Sequence, residues 1–498
     1  MGMSYLLVVL CIEACQNLHV VMEGKMKKKL FVILLSILIL LIGCSDQEVK
    51  VSKETEPTAN IQFEDDLGNM IKMDAPAKKI ISLYSAHTEN LFSLGLDEEI
   101  IGVGKSDAYP AMVTTKERFD YRSDPEKVIA VDPDLVLIRP FIKKSRPEFV
   151  EALENAGINV VCLYPDRFEE FPEYIKKLGL LTGKEEKAEE LLKKFEEDLK
   201  DLEEMTKNIE PKVNVFFEST ETEYRTVTTD SMAARAIKLA GGNNIASDAK
   251  PIREGTSIAS YGEERILEKA DKIDVYVSQR GAMNAGGNIH SISIRPGFDT
   301  IKAVKEGRVY TINEKLVSSP TFRFSKGVKE LARMFYPNIM DNLDEFKKDK
   351  ELTRSQLAKM SVMFKHKGIF APTSRYYRKE HRGHVYGTFK DVTIDNKNFD
   401  YIETAVLSSY VESEKNNFYP DNKVTREELA KTLYMLTDLK DKEGTPLIKD
   451  IDKVKNARIV EIVVENGLMQ LEEENFNPDK IVTEKEAVES MEKIKNLK

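Results

Sequence analysis

The chain lacks tryptophan altogether and has only four cysteines in 498 residues. Three of them, Cys11, Cys15 and Cys44, lie near the N-terminus, and Cys162 stands alone in the apolar stretch NVVCLYP. A disulfide framework needs paired cysteines inside the folded part of a chain. The sequence therefore excludes a small secreted scaffold held together by disulfides.

Enzymatic motifs are also missing. The sequence has no G-x-x-x-x-G-K-[ST] phosphate loop, no H-E-x-x-H zinc motif and no G-x-S-x-G nucleophile elbow. Gly102-Val103-Gly104 lacks the third glycine of a dinucleotide fingerprint. We therefore predict that the protein is not an enzyme and has no resident cofactor or metal. A net charge of −10 argues against nucleic acid as a partner.

An apolar run near the N-terminus is the first positive signal. Lys27 to Lys29 precede Leu30 to Ile42, in which Ser36 is the only polar residue. A membrane-spanning helix needs about 20 apolar residues, so this shorter run fits the hydrophobic region of a signal peptide better. Leu41 to Cys44 resembles a lipobox, whose cysteine carries two acyl chains that anchor a protein to a membrane. An ordinary membrane helix with an incidental cysteine is the alternative.

We interpret residues 1–44 as a signal peptide with a lipobox at Cys44. Residues 1–25 precede a better start at Met26 and are interpreted as a spurious extension. Residues 45–59 are polar and predict a flexible tether.

Short apolar runs alternate with helical stretches over the next part of the chain. Examples are KKIISLYS, PDLVLIRP and INVVCLYP, followed after a break by PKVNVFFEST and KIDVYVSQR. Strands this apolar are typical of parallel sheets covered on both faces. The pattern predicts an α/β architecture with two lobes, at residues 60–182 and 210–340.

One long amphipathic segment separates the two groups of strands. Its apolar residues follow helical spacing, namely Ala188, Leu191, Leu192, Phe195, Leu199, Leu202 and Met205. We predict a helix over residues 183–209 that joins the lobes as a strut. A helix packed inside one larger domain is the alternative.

Six segments carry a family resemblance. They are KKIISLYSAHTENLFSLGL, SDAYP, PEKVIAVDPDLVLI, LAGGNNIA, RPGFDTIKAVKEGRVYTIN and SSPTFRFSKGVKELARMFYP, in that order between residues 78 and 337. Together they resemble the helical-backbone substrate-binding proteins of ABC importers for ferric siderophores, haem and cobalamin. The resemblance implies two Rossmann-like lobes with parallel sheets, one long connecting helix and a ligand cleft between the lobes.

Ligands of open parallel sheets bind at the carboxyl ends of the strands. The candidate ligand-binding residues at predicted strand ends and in nearby loops are Tyr84, His87, Tyr109, Arg122, Arg139, Tyr164, Glu218, Arg225, Arg280, Arg295 and Arg323. Arginine clamps anionic chelates through paired hydrogen bonds, and tyrosine stacks on flat ligands. An axial haem ligand at His87 or a tyrosine is an alternative, and for each residue so is a packing role.

Two glutamates are candidates for docking to a transporter. Glu126 and Glu264 each precede a short helical turn that leads into a strand, one in each lobe. The resemblance implies that they pair with arginines of the transporter subunits. The alternative is a helix N-terminal glutamate favoured by the helix dipole. The neighbouring Glu263 leaves the second assignment open by one residue.

An internal repeat follows. NFYPDNKVTREELAKTL aligns with NFNPDKIVTEKEAVESM 58 residues later, and ELTRSQLAKM is a third copy. In each copy a threonine begins a helical pattern, and Gln356, Glu428 or Glu486 three residues later predicts a capping box. The copies resemble S-layer homology repeats, which implies a mainly α-helical repeat domain at 345–498. The resemblance also implies that Arg354 and Arg426 bind anionic wall polysaccharide; the last copy has Glu484 there, and a degenerate structural module is the alternative.

These patterns predict a lipid-anchored, solute-binding component of an ABC importer on the outer face of a Gram-positive cytoplasmic membrane. Its partners are then a permease, an ATPase and a small-molecule metal complex, with wall polysaccharide as a further partner. A ferric siderophore is the first expectation for the cargo. Haem, cobalamin and oxyanions are alternatives within the same fold. A wall-attached structural surface protein is the alternative from another class.

Overall fold

The computed structural model describes residues 61–369, 388–393, 396–439 and 447–497. The signal peptide, the lipobox cysteine Cys44 and the tether predicted for residues 45–59 lie outside these ranges.

The first lobe is organised around a five-stranded parallel sheet with strand order β5-β4-β3-β6-β7. An antiparallel pair, β1 and β2, precedes this sheet in the chain. The strands are β1 Ile61–Glu64, β2 Met70–Met73, β3 Ile80–Ser82, β4 Ile100–Gly104, β5 Glu117–Phe119, β6 Leu135–Ile138 and β7 Asn159–Cys162. The helices are α1 Ser85–Ser93, α2 Glu126–Ile129, α3 Pro140–Ser145, α4 Pro147–Asn155 and α5 Phe171–Thr182. All four residues of β6 are buried, as expected for a central strand covered on both faces.

The second lobe repeats this plan with a four-stranded parallel sheet of order β10-β8-β13-β14. A small antiparallel sheet, β11-β12-β9, belongs to the same lobe. The strands are β8 Asn214–Glu218, β9 Thr226–Val227, β10 Asn243–Asn244, β11 Lys250–Pro251, β12 Ile258–Ser260, β13 Val275–Arg280 and β14 Val309–Asn313. The helices are α7 Met232–Leu239, α8 Glu263–Glu268, α9 Ile289–Ser293, α10 Lys302–Lys305, α11 Glu314–Val317, α12 Phe324–Phe335 and α13 Pro337–Met340.

A single long helix connects the lobes. This helix, α6 Glu185–Thr206, has 22 residues and spans about 33 Å. It buries Ala188, Leu192, Phe195, Leu199 and Leu202, whereas Met205 is 52% exposed. One continuous hydrophobic core runs from the first sheet across this helix into the second lobe. The predicted two-lobe α/β fold is thereby confirmed, while the domain boundaries stay predictions.

Five phenylalanines meet where the two lobes and α6 come together. Phe168 and Phe171 come from the first lobe, Phe195 from α6, and Phe322 and Phe324 from the second lobe. We call them the junction cluster. The Phe195 ring centre lies 5.0 Å from that of Phe171 and 5.8 Å from that of Phe322. Aromatic pairs at such distances add attraction beyond the area they bury.

The repeat region, from Leu343 onward, has its own hydrophobic core. Its helices are α14 Arg354–Phe364, α15 Phe399–Leu407, α16 Arg426–Met435, α17 Ala457–Glu465 and α18 Glu484–Ile494. A ring of three backbone hydrogen bonds joins the copies: Leu352 N–H donates to Val482 O, Val482 N–H to Val424 O, and Val424 N–H to Leu352 O. The three copies are thus arranged around a pseudo-threefold axis.

The predicted caps begin all three repeat helices. Thr353, Thr425 and Thr483 each accept a hydrogen bond from the backbone N–H three residues on. The reciprocal bond of a full capping box forms with Gln356 and Glu486. Glu428 instead pairs with Arg354 of the preceding copy.

Two sequence differences between the copies compensate for each other, because the differing residues are hydrogen-bonded partners. Where the last copy has Glu484 in place of arginine, its partner position in the first copy is Gln356 rather than glutamate. The Gln356 side-chain amide donates to the Glu484 carboxylate at 2.6 Å. The exchange keeps a hydrogen bond between these copies and avoids two facing carboxylates.

We expect Phe195→Ala to lower the free energy of unfolding by about 3–5 kcal/mol, because it removes a ring that contacts both lobes. Met205→Ala on the same helix is the matched control and should change stability by less than about 0.5 kcal/mol. Urea unfolding followed by far-ultraviolet circular dichroism measures both, since the chain has no tryptophan to report by fluorescence. Equal effects of the two substitutions would contradict a central role for the junction cluster.

Candidate functional site

An unpaired arginine stands at the carboxyl edge of the first sheet. Arg139 directly follows β6, and Pro140 begins α3 immediately after it, so Arg139 is held in extended backbone at this turn. Its guanidinium carbon lies 5.0 Å from the ring centre of Tyr84 and 5.2 Å from that of Phe141. Within the part of the chain that the structure describes, no carboxylate pairs with this guanidinium. Its donors are free for a ligand.

Aromatic rings extend this arrangement along the edge of the lobe. The rings of Tyr84 and Tyr164 are 5.8 Å apart, those of Phe141 and Tyr121 are 6.4 Å apart, and Arg122 lies 5.0 Å from the Tyr121 ring. We call the set Tyr164, Tyr84, Arg139, Phe141, Tyr121 and Arg122 the cleft ladder. Ring faces attract and orient the guanidinium groups, which lowers the entropy lost when a ligand binds.

Sequence reasoning missed two members of the cleft ladder, Tyr121 and Phe141. Phe141 is 49% exposed, an unusual position for so large an apolar side chain. Both residues stand just beyond the end of a strand, β5 or β6, and that position was an available signal.

Tyr84 and Tyr164 have raised pKa values. Burial raises the pKa of Tyr84 well above its usual value, and Tyr164 adds to this effect while Arg139 opposes it. Burial also raises the pKa of Tyr164. These phenols therefore offer ring faces and hydroxyl groups, whereas an iron-ligating tyrosine would need to be a phenolate.

His87, predicted to contact the ligand, lies in the core of the first lobe. His87 is completely buried, and both ring nitrogens have partners. Nδ1 lies 2.7 Å from the Tyr174 hydroxyl, and Nε2 lies 3.1 Å from Ile138 O. The carbonyl can only accept, so Nε2 carries the proton and Nδ1 accepts from the tyrosine. His87 has no free nitrogen with which to ligate haem iron.

In the second lobe, Glu218 and Arg295 form a buried ion pair. Glu218 is fully buried and accepts from the Tyr276 hydroxyl at 2.7 Å and the Ser278 hydroxyl at 2.9 Å as well as from Arg295. The Arg295 side chain is 10% exposed. A buried carboxylate with three donors is satisfied inside the lobe, so both residues already have partners within the protein, and their contact with a ligand stays a prediction.

The remaining predicted arginines differ in whether a carboxylate pairs with them. Arg225 pairs with Glu223 at 2.8 Å, and Arg323 pairs with Glu89 through bonds of 2.9 and 2.7 Å. Arg280 ends β13, is exposed, and has no carboxylate partner within the described ranges. Arg122, Arg139 and Arg280 therefore keep free charge, whereas the other three are already neutralised by the protein.

Polar contacts join the lobes at the base of the cleft. The Glu89–Arg323 pair crosses from α1 to the residue before α12, and the Arg323 guanidinium carbon lies 3.8 Å from the Tyr109 ring centre. The Lys315 ammonium donates to the Ser85 hydroxyl at 2.9 Å. Tyr109 and Arg323, predicted as ligand contacts, thus belong to the contact between the lobes. Sequence reasoning missed their partners Glu89 and Lys315, which have no distinctive local pattern.

Comparison with known proteins gives this geometry a family. Residues 80–316 match the family described as periplasmic binding protein, and residues 388–430 and 447–488 match the S-layer homology domain. Residues 80–316, slightly less than half of the chain, are thus similar to the periplasmic binding protein family.

Relatives agree with this assignment. An uncharacterized ABC transporter substrate-binding lipoprotein, YvrC, of Bacillus subtilis (strain 168) is 29% identical over 323 residues, covering 63% of this chain and 99% of the relative. A vitamin B12-binding protein of Vibrio campbellii is 26% identical over 264 residues, covering 53% and 90%. A crystal structure of a possible iron-binding (periplasmic solute-binding) protein from Staphylococcus epidermidis shares 28% identity and covers 53% of this chain and 100% of that one, with a TM-score of 0.47. The curated relatives are binding proteins and not enzymes.

The two predicted docking glutamates lie on the surface of the binding-protein domain. Glu126 begins α2 and Glu264 is the second residue of α8. Both side chains are exposed, and neither forms an ion pair with another described residue. Glu263 is only half exposed, which favours Glu264 as the accessible member of that pair.

The repeat arginines point inward. Arg426 is 7% exposed and donates to Phe476 O at 2.7 Å and Gln470 O at 2.6 Å. Arg354 donates to Phe418 O and Glu412 O, each at 2.8 Å. Each guanidinium thus bonds to the next copy, which leaves it fewer donors for the predicted contact with wall polysaccharide. The S-layer homology assignment itself is confirmed.

Across residues 61–369 and the shorter described ranges, no cluster of histidine, cysteine and carboxylate side chains is arranged to hold a metal ion. In the same ranges no helix is apolar enough over a sufficient length to cross a bilayer.

Two buried groups near the cleft titrate in opposite senses. Burial lowers the pKa of His87 from 6.5 to about 4, so stability from this residue declines as pH falls through that window. Burial raises the pKa of Asp107 from 3.8 to about 6, so the stability it contributes is lost as pH rises through 6. A bulk unfolding curve therefore mixes two opposing effects.

We expect the His87 imidazole to stay neutral down to about pH 5, because its burial disfavours the charged form. Nuclear magnetic resonance of the histidine side chains measures this directly, with exposed His290 as the internal control. A His87 midpoint above pH 6 would contradict the buried, hydrogen-bonded position.

Proposed function

We propose that this chain is the solute-binding component of an ABC importer that captures an anionic iron complex, with a ferric siderophore as the cargo. The family assignment supports the importer role. The iron enters as substrate inside its chelate, and no resident cofactor is needed. Delivery then requires a permease and an ATPase as partners.

The single observation that supports an anionic cargo is that Arg139 has no carboxylate partner among the described residues. A half-buried guanidinium without a carboxylate partner is costly unless a ligand supplies the negative charge. The neighbouring rings of Tyr84 and Phe141 add flat apolar surface at the same place. Catecholate and carboxylate chelates of ferric iron combine negative charge with compact planar groups, and so they match both features.

Cobalamin is the second candidate, because several relatives are named vitamin B12-binding proteins, at 22–26% identity. Its cobalt and corrin charges are compensated within the molecule, so it makes less use of a free guanidinium. Haem, with two propionates, would use Arg139, but none of the described residues supplies a histidine with a free ring nitrogen at this edge.

The location of the protein in the cell is proposed from the cysteine motif near its N-terminus and from its C-terminal repeats. We propose that Cys44 carries lipid at the outer face of the cytoplasmic membrane of a Gram-positive bacterium, as supported by the relative named a lipoprotein. The S-layer homology domains would add contact with anionic wall polymer. Since Arg354 and Arg426 are used internally, other side chains must form that contact.

We expect Arg139→Gln to weaken binding of an anionic ferric chelate by about 10- to 150-fold, as loss of a charge-assisted hydrogen bond costs about 1.5–3 kcal/mol. Visible absorbance of co-eluting ferric catecholate, ferric citrate, ferric hydroxamate, haem and cobalamin measures the affinities.

Arg265→Gln is the matched control. Arg265 also lies over a tyrosine ring, at 4.1 Å from Tyr261, but its charge is already paired with Asp248. This control should leave affinity unchanged. If only cobalamin binds, and Arg139→Gln binds it normally, the siderophore proposal fails while the importer role stands.

Docking to the transporter gives a separate prediction. We expect Glu126→Gln combined with Glu264→Gln to reduce uptake by at least tenfold in cells, with ligand affinity of the purified protein unchanged, because surface charge sets encounter and register. Glu263→Gln is the neighbouring control. Unchanged uptake with the double variant would show that the glutamates are ordinary helix N-terminal residues.

A further inference from the structure

The repeat region contacts the binding-protein domain through an ion pair at α12. The Lys326 ammonium lies 2.7 Å from Oδ2 of Asp400, which is in the first turn of α15. Burial alone would lower the pKa of Lys326, but Tyr109 and Asp400 outweigh it and raise the pKa. Lys326 therefore holds its charge between a residue of the first lobe and a residue of the repeats.

Lys326 is one helical turn from Arg323, the residue that joins the lobes. Arg323 holds Glu89 of α1 and covers the Tyr109 ring. The chain of contacts therefore runs from Asp400 of the repeats, through Lys326 and Arg323, to Glu89 and Tyr109 of the first lobe.

A second contact holds the other end of α12. Arg333 is 4% exposed and bonds to Glu330, Asp341 and the Lys367 carbonyl, the last at 2.9 Å. The backbone N–H of Ile369 donates to Glu330 at 2.8 Å. Lys367 and Ile369 follow the first repeat helix, α14, so the repeat chain completes a buried ionic network of the second lobe.

The two contacts are seven residues apart on α12, or about 10 Å along its axis. A helix held at two such points cannot slide or tilt without breaking one of them. Breaking the second removes the hydrogen bonds that Arg333 and Glu330 form with Lys367 O and the Ile369 N–H, and polar groups in a buried network are unfavourable to leave unbonded. The repeat region therefore adds a restraint on α12, and with it on Arg323, beyond the packing of this helix in the hydrophobic core.

We propose that the repeat region is a structural part of the lobe junction, which restrains separation of the two lobes by holding α12 and Arg323 against Glu89 of the first lobe. The two lobes and the repeat region then form one structural unit. This role does not depend on the identity of the cargo. The contrary view is that the repeats are a passive anchor attached to an independent two-lobed protein.

Hydrogen–deuterium exchange on the full chain tests this proposal without a ligand. The readout is α1, residues 85–93, which contains Glu89. Asp400→Lys places two cations together, and we expect exchange in α1 to become about 2- to 10-fold faster. Asp400→Asn should give a smaller increase, about 2-fold, since an exposed ion pair contributes at most about 1 kcal/mol.

Two further variants decide the outcome. Glu412→Lys makes the same change of charge at another ion pair of the repeat region, with Lys431, and should leave α1 unaffected. Lys326→Glu combined with Asp400→Lys restores an ion pair and should return α1 exchange toward its original rate. Faster exchange confined to residues 399–407 and α12, or an equal effect of Glu412→Lys on α1, would overturn the proposal.

Discussion

The packing of five phenylalanines between the lobes sets the geometry on which the cleft depends. Phe195 on the connecting helix lies between rings from both lobes, so neither sheet can move relative to α6 without opening an apolar core. The same packing keeps Glu89 and Arg323 within bonding distance, at side-chain exposures of 5% and 10%. Such a pair is unfavourable to separate, because each partner would be left as a poorly solvated charge. The contact between the two lobes is therefore held by both apolar packing and a buried ion pair.

The partners of each arginine indicate whether its role is structural or ligand-binding. Arg295 and Arg323 form ion pairs with buried glutamates, so their charge is already balanced within the protein. Arg139 lies between aromatic rings and has no carboxylate partner among the residues that the structure describes. An anion brought to this edge gains the attraction without displacing a competing carboxylate, and this asymmetry between the arginines supports the proposed anionic cargo.

In the repeat region, too, the arginines are hydrogen-bonded within the protein. Arg354 and Arg426 each bond to backbone carbonyls of the next copy, which closes the array around its axis. The exchange at Glu484 and Gln356 preserves a bond between copies while changing both residue types. A deviation from the family motif in one copy is thus compensated in another, and the copies share one hydrophobic core.

The sequence by itself determined the features that depend on neighbours along the chain. Strand runs, the helical period of α6 and the threonine caps at 353, 425 and 483 follow from local sterics and hydrogen bonding, and the structure has them. Only the tertiary structure decided which polar groups remain free. His87 bonds to Tyr174 and Arg295 to Glu218, at separations of 87 and 77 residues, and Met205 fits the helical pattern of α6 yet faces solvent. Pairing at such separations depends on how sheets and helices pack, and local patterns do not encode the choice of partner.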